Sequence, residues 1–364
     1  MLWQPKNVIE FATPIIKLWK YLGLPIYEVT GLRVTRQKSY FFPFAFLFLG
    51  VNISVYAVYY GVENSLRSWL SVCEFVAIQT QNVSFVLLAY WKRNQIPKFL
   101  AKCLATERRV SALSCTNFDF VGTGRQFLLL LIVKLLLVIF IFVIDCIFMA
   151  RDFKDYIFRY CFYTGFVFYG ASDFTILVLI TPVEKLYGHF LNNLENHNLE
   201  ESVRVFFMLQ DLAQSTFNII EEFMLAKILI DFFYASTDVF YGTASALEVQ
   251  TSLLATVLSS FIVVLWLLFV VHSIVTISFV FGKVKEQHQV MNEIICERFR
   301  SKAAKNYRCE AKLLLRGKVN PLKFTICGFL PLDYCLAYTM TAGIVTYVIY
   351  LVQFSQVSHC VTCK

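Results

Sequence analysis

The sequence predicts an all-α membrane protein with seven transmembrane helices. Three observations lead there. Hydrophobic residues make up 58% of the 364 residues and charged residues only 16%, against about 45–50% and 25% in soluble domains. Apolar stretches long enough to cross a hydrocarbon core, about 20 residues, recur seven times. The runs are continuous and about twice the length of a barrel strand, so a β-barrel does not fit. The same arithmetic excludes an ordinary soluble protein and a long disordered chain. Eleven cysteines in 364 residues are too sparse for a small disulfide scaffold.

The predicted spans are 40–61, 69–91, 126–149, 158–181, 223–243, 253–281 and 331–356. The third and sixth are the most apolar. The fifth is the weakest, because Lys227, Asp231 and Asp238 interrupt it. Residues 1–39 are mixed and basic and lack the short apolar core of a signal peptide. The first span is therefore expected to act as its own insertion signal.

Loop charge predicts the orientation. The 1–39, 92–125, 182–222 and 282–323 segments hold 26 Lys/Arg, and the loops on the other side hold five. The positive-inside rule then places the N-terminus in the cytoplasm and the C-terminus outside, inverted relative to G-protein-coupled receptors. The net charge of +8 reads as contact with anionic membrane lipid, not nucleic acid.

Between the spans, Val203, Phe206, Phe207, Leu209, Leu212, Ala213, Phe217 and Ile220 recur at near-helical spacing, which predicts an amphipathic helix running into the fifth span. Residues 284–316 are helix-prone and basic. The 182–222 and 282–323 segments are expected to pack as a helical anchor layer beneath the membrane. No linker or internal repeat divides the chain, so 1–364 reads as a single membrane domain. The missing repeat also counts against a secondary transporter.

Charged groups inside a span are costly and face protein or water. In the fifth span Lys227, Asp231, Tyr234, Asp238 and Tyr241 follow one another at steps of four, three, four and three, so they share one face. This face either lines a ligand cavity or is satisfied locally, with Lys227 paired to Asp231 and the rest bonded to neighbouring helices. Asp145, Tyr163, Tyr169, Thr256, Ser259 and Ser260 are candidates for the same cavity, and Glu74, Gln79 and Gln81 lie in the second span. Asp173 is placed to pair with Lys134.

Signals for an enzyme are thin. The five histidines have no metal-site spacing, and HExxH, GxSxG and P-loop patterns do not occur. The Cys360–Cys363 pair stands without a second pair. No cofactor or metal and no catalytic residue is expected. The Asn52 and Asn82 sequons fall inside predicted spans, where glycosylation is not expected.

The last span carries polar residues in an apolar helix. Thr346, Tyr350, Gln353 and Val357 share a face, with Phe354 beside it. Such a stripe either lines a narrow pore in an oligomer, closed by apolar rings through dewetting, or is buried by neighbouring helices. The run Thr346-Tyr347-Val348-Ile349-Tyr350-Leu351-Val352-Gln353-Phe354 resembles the signature of the insect gustatory receptor family, within the insect chemoreceptor superfamily: Thr-Tyr, five hydrophobic residues, then Gln-Phe. The upstream Cys327-Gly328-Phe329-Leu330-Pro331-Leu332-Asp333 is similar to that family's Gly-Phe-Phe-x-Leu-Asp segment. The motifs cover about 30 residues, and the seven-span layout agrees along the whole chain.

The resemblance implies a tastant-gated cation channel, a homo- or hetero-tetramer with other gustatory receptors in the plasma membrane of sensory neurons. It places four copies of the last helix around one pore, Gln353 and Phe354 at the outer gate, and Thr346 and Tyr347 lower on the same helix. It assigns the fifth-span face to the tastant pocket. Sugar receptors of the family tend to carry Glu directly after Thr-Tyr; Val348 stands there instead, which points to a bitter-type or other non-sugar receptor. The alternatives are a G-protein-coupled chemoreceptor, opposed by the charge balance and by the lack of Asp-Arg-Tyr and Asn-Pro-x-x-Tyr elements, and a small-solute transporter.

Overall fold

The computed structural model describes residues 5–22, 24, 27–30, 33–36, 66–114, 118, 120–149, 153–194, 198–247, 253–302 and 322–362, with backbone alone at several element ends. The first predicted span, 40–61, lies outside the described residues, as do Asn52, 303–321 and Cys363.

Helix α1, Val8–Tyr21, is opened by Asn7, whose side chain accepts the Glu10 N–H at 2.9 Å, satisfying one of the free donors of the first turn. A hairpin of β1, Tyr27–Thr30, and β2, Arg33–Arg36, follows. Then come α2, Leu66–Trp91; a single 3₁₀ turn, Lys92–Asn94; α3, Gln95–Ser114; α4, Val121–Met149; α5, Phe153–Asn193; α6, Leu199–Leu247; and α7, Leu253–Lys302. A second hairpin, β3 Thr325–Ile326 and β4 Leu330–Pro331, leads into α8, Tyr334–Thr362.

Each of the six predicted spans within the described residues falls on one of these helices, but the helices overrun the spans. Helices α5, α6 and α7 hold 41, 49 and 50 residues, roughly 60–75 Å at 1.5 Å per residue, against about 30 Å of hydrocarbon. The excess continues as helix beyond the predicted spans. Val203, Phe206, Leu209, Leu212, Phe217 and Ile220 are buried in the first half of α6. Helix α5 runs on past Pro182, where the predicted span stopped. Proline removes one backbone hydrogen bond, but Val183, Leu186, Tyr187 and Phe190 beyond it are all buried, and that packing carries the helix across.

Helix α1 is bonded to α3 and α5. The Val8 N–H donates to Glu107 Oε2 at 3.1 Å, and the Trp19 indole donates to Thr175 at 2.9 Å. On α7, beyond the apolar segment, His288 is stacked on Phe206 at 4.6 Å and lies 3.2 Å from the Tyr187 hydroxyl through Nδ1. Burial pushes its imidazole down to about 4, so it is neutral near pH 7.

The apolar helices divide by what covers them. Helix α5 is buried along most of its described length, whereas α4 exposes Leu129, Ile132, Leu136, Ile139 and Ile147, a face suited to lipid. Four described helical stretches are long and apolar enough to cross a membrane, and Tyr334–Tyr350 is a shorter apolar one. The Asn82 sequon is closed off, since its amide is buried and donates to the Gly165 carbonyl at 3.0 Å.

The hairpin before α8 explains the Cys-Gly-Phe segment. The Phe329 N–H returns to the Ile326 carbonyl at 3.0 Å, with Cys327 and Gly328 between them at φ 50° and 75°. Two successive positive φ angles make the tight turn of a twisted hairpin, and glycine adopts one at little cost. The Cys327 N–H is held by Glu221 at 3.2 Å. Asp333 then caps α8: Oδ1 accepts the Cys335 N–H at 3.0 Å, and Oδ2 takes the Lys285 ammonium of α7 at 2.6 Å. Tyr334 lies over Gly282 so closely that a Cβ there would sit 2.8 Å from its ring. The segment therefore ties the start of α8 to α6 and α7.

Candidate functional site

The fifth-span polar face is assembled from α6, with α4, α5 and α7 brought against it. Lys227 is almost completely buried. Its Nζ lies 2.9 Å from Asp231 Oδ2 one turn along α6 and 2.8 Å from Asp173 Oδ1 on α5. Both approaches are ion pairs that lie off the hydrogen-bond direction. Asp173 Oδ2 accepts from Lys134 of α4 at 3.1 Å. The Tyr169 hydroxyl of α5 donates to Asp231 Oδ1 at 2.7 Å, and the Lys227 ammonium sits 4.0 Å from the Tyr169 ring centre. Lys134 in turn lies 4.7 Å from the Phe269 ring of α7. Two ammonium groups and two carboxylates thus cancel within one buried network across three helices. Unpaired, each would cost several kcal/mol away from water.

Both pairs that the sequence offered, Lys134–Asp173 and, as the local alternative to a cavity, Lys227–Asp231, are formed. What spacing missed is the bridge between them, Lys227 to Asp173, and the Tyr169 donor. A signal for it was present: Tyr169 and Asp173 are one turn apart on α5 and so share a face.

An aromatic column rises from this network. Tyr169 is 6.1 Å from Phe166 and 5.6 Å from Phe269. Phe166 is stacked on Trp266 at 3.9 Å and meets Tyr234 of α6 edge-on at 5.6 Å. Trp266 reaches Tyr163 at 5.8 Å. Tyr163 ends the column by donating to Asp145 at 3.1 Å, and Asp145 is also paired with Arg159. The candidates Asp145, Tyr163, Tyr169, Asp231 and Tyr234 therefore belong to one connected set. Phe166, Trp266 and Phe269, which link them, are not singled out by spacing in a chain of 17% aromatic residues. Asp238 is buried on the same face, two turns beyond Asp231. The side chains of Tyr241, Ser259 and Ser260 lie outside the described residues.

The last-helix candidates are arranged differently. Thr346, Tyr350 and Gln353 are exposed, and the Thr346 hydroxyl bonds only within its own helix, to the Ala342 carbonyl at 2.9 Å. Tyr347 turns inward and packs 6.2 Å from the Phe232 ring of α6, and Val348 is buried. The side chains of Phe354 and Val357 lie outside the described residues.

Fold and site together define a multi-pass helical membrane protein with a buried ionic and aromatic core and a last helix left uncovered on one face. The profile of the 7tm Chemosensory receptor family matches residues 13–358. Among solved structures, the insect olfactory receptor OR5 from Machilis hrabei superposes with a TM-score of 0.65 at 10% identity, covering 95% of this chain and 98% of that one. The same receptor in complex with eugenol gives 0.64 at 12% identity, with the same coverage. No curated protein matches the chain. The chain belongs to the 7tm chemosensory receptor family and has the seven-helix fold seen in OR5.

Proposed function

We propose that the chain is a subunit of a tetrameric, tastant-gated, non-selective cation channel of gustatory type, serving bitter or other non-sugar contact chemosensation. It acts as a homotetramer or with other gustatory receptors, in the plasma membrane of sensory neurons, with its N-terminus inside and its C-terminus outside. The observation that carries this reading is the uncovered face of α8, where Thr346, Tyr350 and Gln353 lie on one side of an apolar helix. Four such faces around an axis make a pore with amide and hydroxyl groups along it, and Phe354 and Val357 supply an apolar ring that closes by dewetting. Segments 182–222 and 282–323 serve as cytoplasmic anchors within one continuous domain.

The tastant pocket is drawn from Asp145, Tyr163, Tyr169, Asp231, Tyr234, Asp238, Tyr241, Ser259 and Ser260. The solved complex of OR5 with eugenol supports a small organic ligand. Gating is a population shift, in which the ligand binds the open arrangement more tightly. Moving a 1:99 equilibrium to 99:1 takes about 5.5 kcal/mol of differential binding, which four subunits share.

The test is whole-cell recording from cells that display a C-terminal epitope tag without permeabilisation. Phe354→Ala is expected to raise the ligand-independent cation current at equal surface labelling. A tag reached only after permeabilisation, or a basal current unchanged by the substitution, overturns the gate.

A further inference from the structure

Asp238 and Glu74 form a second buried acidic site, and it differs from the first in one respect. Asp238 lies on α6 two turns from Asp231; Glu74 is on α2, and both are buried. Helices α2 and α6 pack together in opposite directions, with Phe85 against Phe223 and Lys92 against Glu222, which brings Glu74 to the height of Asp238. One oxygen of each, Glu74 Oε1 and Asp238 Oδ2, meets no donor. Buried polar atoms in native proteins are nearly always paired.

A further unpaired group lies along the same seam. Gln81 is seven residues after Glu74, on the face of α2 that meets α6, where Phe85 touches Phe223 at 5.6 Å and Lys92 reaches Glu222 at 2.9 Å. Gln81 is fully buried, and neither atom of its amide has a partner.

The comparison within α6 decides the chemistry. At Asp231 the chain supplies two lysines for two aspartates. At Asp238 there are two acids, and among the described residues no cation pairs with either. Ionisable groups left incomplete inside a membrane protein mark ligand and ion paths. No three potential metal ligands gather among the described residues, which disfavours a metal ion. A compact ammonium has three donors, enough for the open oxygen on each carboxyl, and its single charge balances the pair when the two acids share one proton. We propose that Glu74 and Asp238 bind the protonated amine of an organic ligand, whose body extends along the α2–α6 seam past Gln81. This rests on the receptor reading above and names the chemical class of its ligand.

The test uses the full chain in detergent and follows its unfolding temperature with alkylamines from methylamine to hexylamine, the matching alcohols, and sodium chloride at equal concentration. At least one amine is expected to raise that temperature by about 3 °C at saturation, with no rise from its alcohol or from sodium. Glu74→Gln and Asp238→Asn are each expected to abolish the shift. Glu74→Lys places the chain's own ammonium beside Asp238, so it is expected to fold, to unfold no lower than the unliganded parent, and to ignore amines. No amine shift in the parent chain overturns the proposal. So does a shift that survives both neutral variants, or an equal shift with sodium. Failure of the channel reading is separate, because it appears in the basal current of Phe354→Ala whatever the amines do.

Discussion

On α6, Lys227, Asp231 and Tyr234 are buried against other helices, whereas on α8 Thr346, Tyr350 and Gln353 stand exposed, although both sets recur with the same helical spacing. The difference follows from charge. A lysine or aspartate inside an apolar bundle must find a counter-ion in its own chain or pay the full cost of desolvation. Hydroxyl and amide groups cost less and bond locally, as Thr346 does to its own helix, so they can remain for another copy of the chain to cover. Helical spacing identifies a polar face; whether the chain completes it depends on what packing brings, which supplies Lys227 at Asp231 and, among the described residues, no cation at Asp238.

The largest effect that would break this comparison is at Lys227. Lys227→Met leaves Asp173 and Asp231 with one lysine between them and is expected to cost about 3–5 kcal/mol, read as a loss of folded protein and a lower unfolding temperature in detergent. Lys227→Met with Asp231→Leu restores charge balance and is expected to recover most of that loss. A single variant as stable as the parent would show that the network is not integral to the fold.

Acidification probes a group that is buried without a charge. The His288 imidazole is depressed from 6.5 to about 4 by burial. The unfolded chain therefore binds a proton that the folded chain does not between those values. Its contribution to stability is complete above about pH 6.5 and falls as the pH drops towards 4. His288→Phe is expected to flatten that part of the pH–stability curve; an unchanged slope would assign it to other groups.

The start of α8 lies between the two extremes, since it is tied to α6 and α7 while the rest of its polar face is open. Asp333→Ala removes the helix cap and is expected to cost about 1 kcal/mol, seen as faster amide exchange over residues 334–340. Exchange that stays slow would leave the hairpin and Tyr334 as sufficient anchors. The smallest effect on the isolated subunit is at Thr346. Thr346→Ala is expected to change subunit stability by less than about 0.5 kcal/mol, yet to alter conductance if four copies face one pore. A large stability change there would mean that the face is covered within the subunit.

Much of the fold was legible in the sequence because hydrocarbon imposes a simple rule: apolar runs of sufficient length become helices. Six described helices stand where those runs stand, and the amphipathic start of α6 follows from its spacing. The helix ends were not legible. The predicted fourth span ended at 181, and only the burial of Val183, Leu186, Tyr187 and Phe190 shows why α5 continues past Pro182. The Cys-Gly-Phe segment could be read as a family motif, but its work as a turn that caps and ties α8 depends on Glu221 and Lys285, each far away in the chain.

The site divides in the same way. Composition and spacing alone determined that this is a multi-helix membrane protein and that charges crowd one face of α6. Local pairs such as Lys227–Asp231 also follow, because residues four apart on a helix must be neighbours. Tertiary structure decided everything that needs two helices at once: the Lys227–Asp173 bridge, the Phe166–Trp266 stack that joins the tyrosines, the inward turn of Tyr347, and the meeting of Glu74 with Asp238. Helical periodicity orders residues around one axis, and only packing sets which axes touch and at what height.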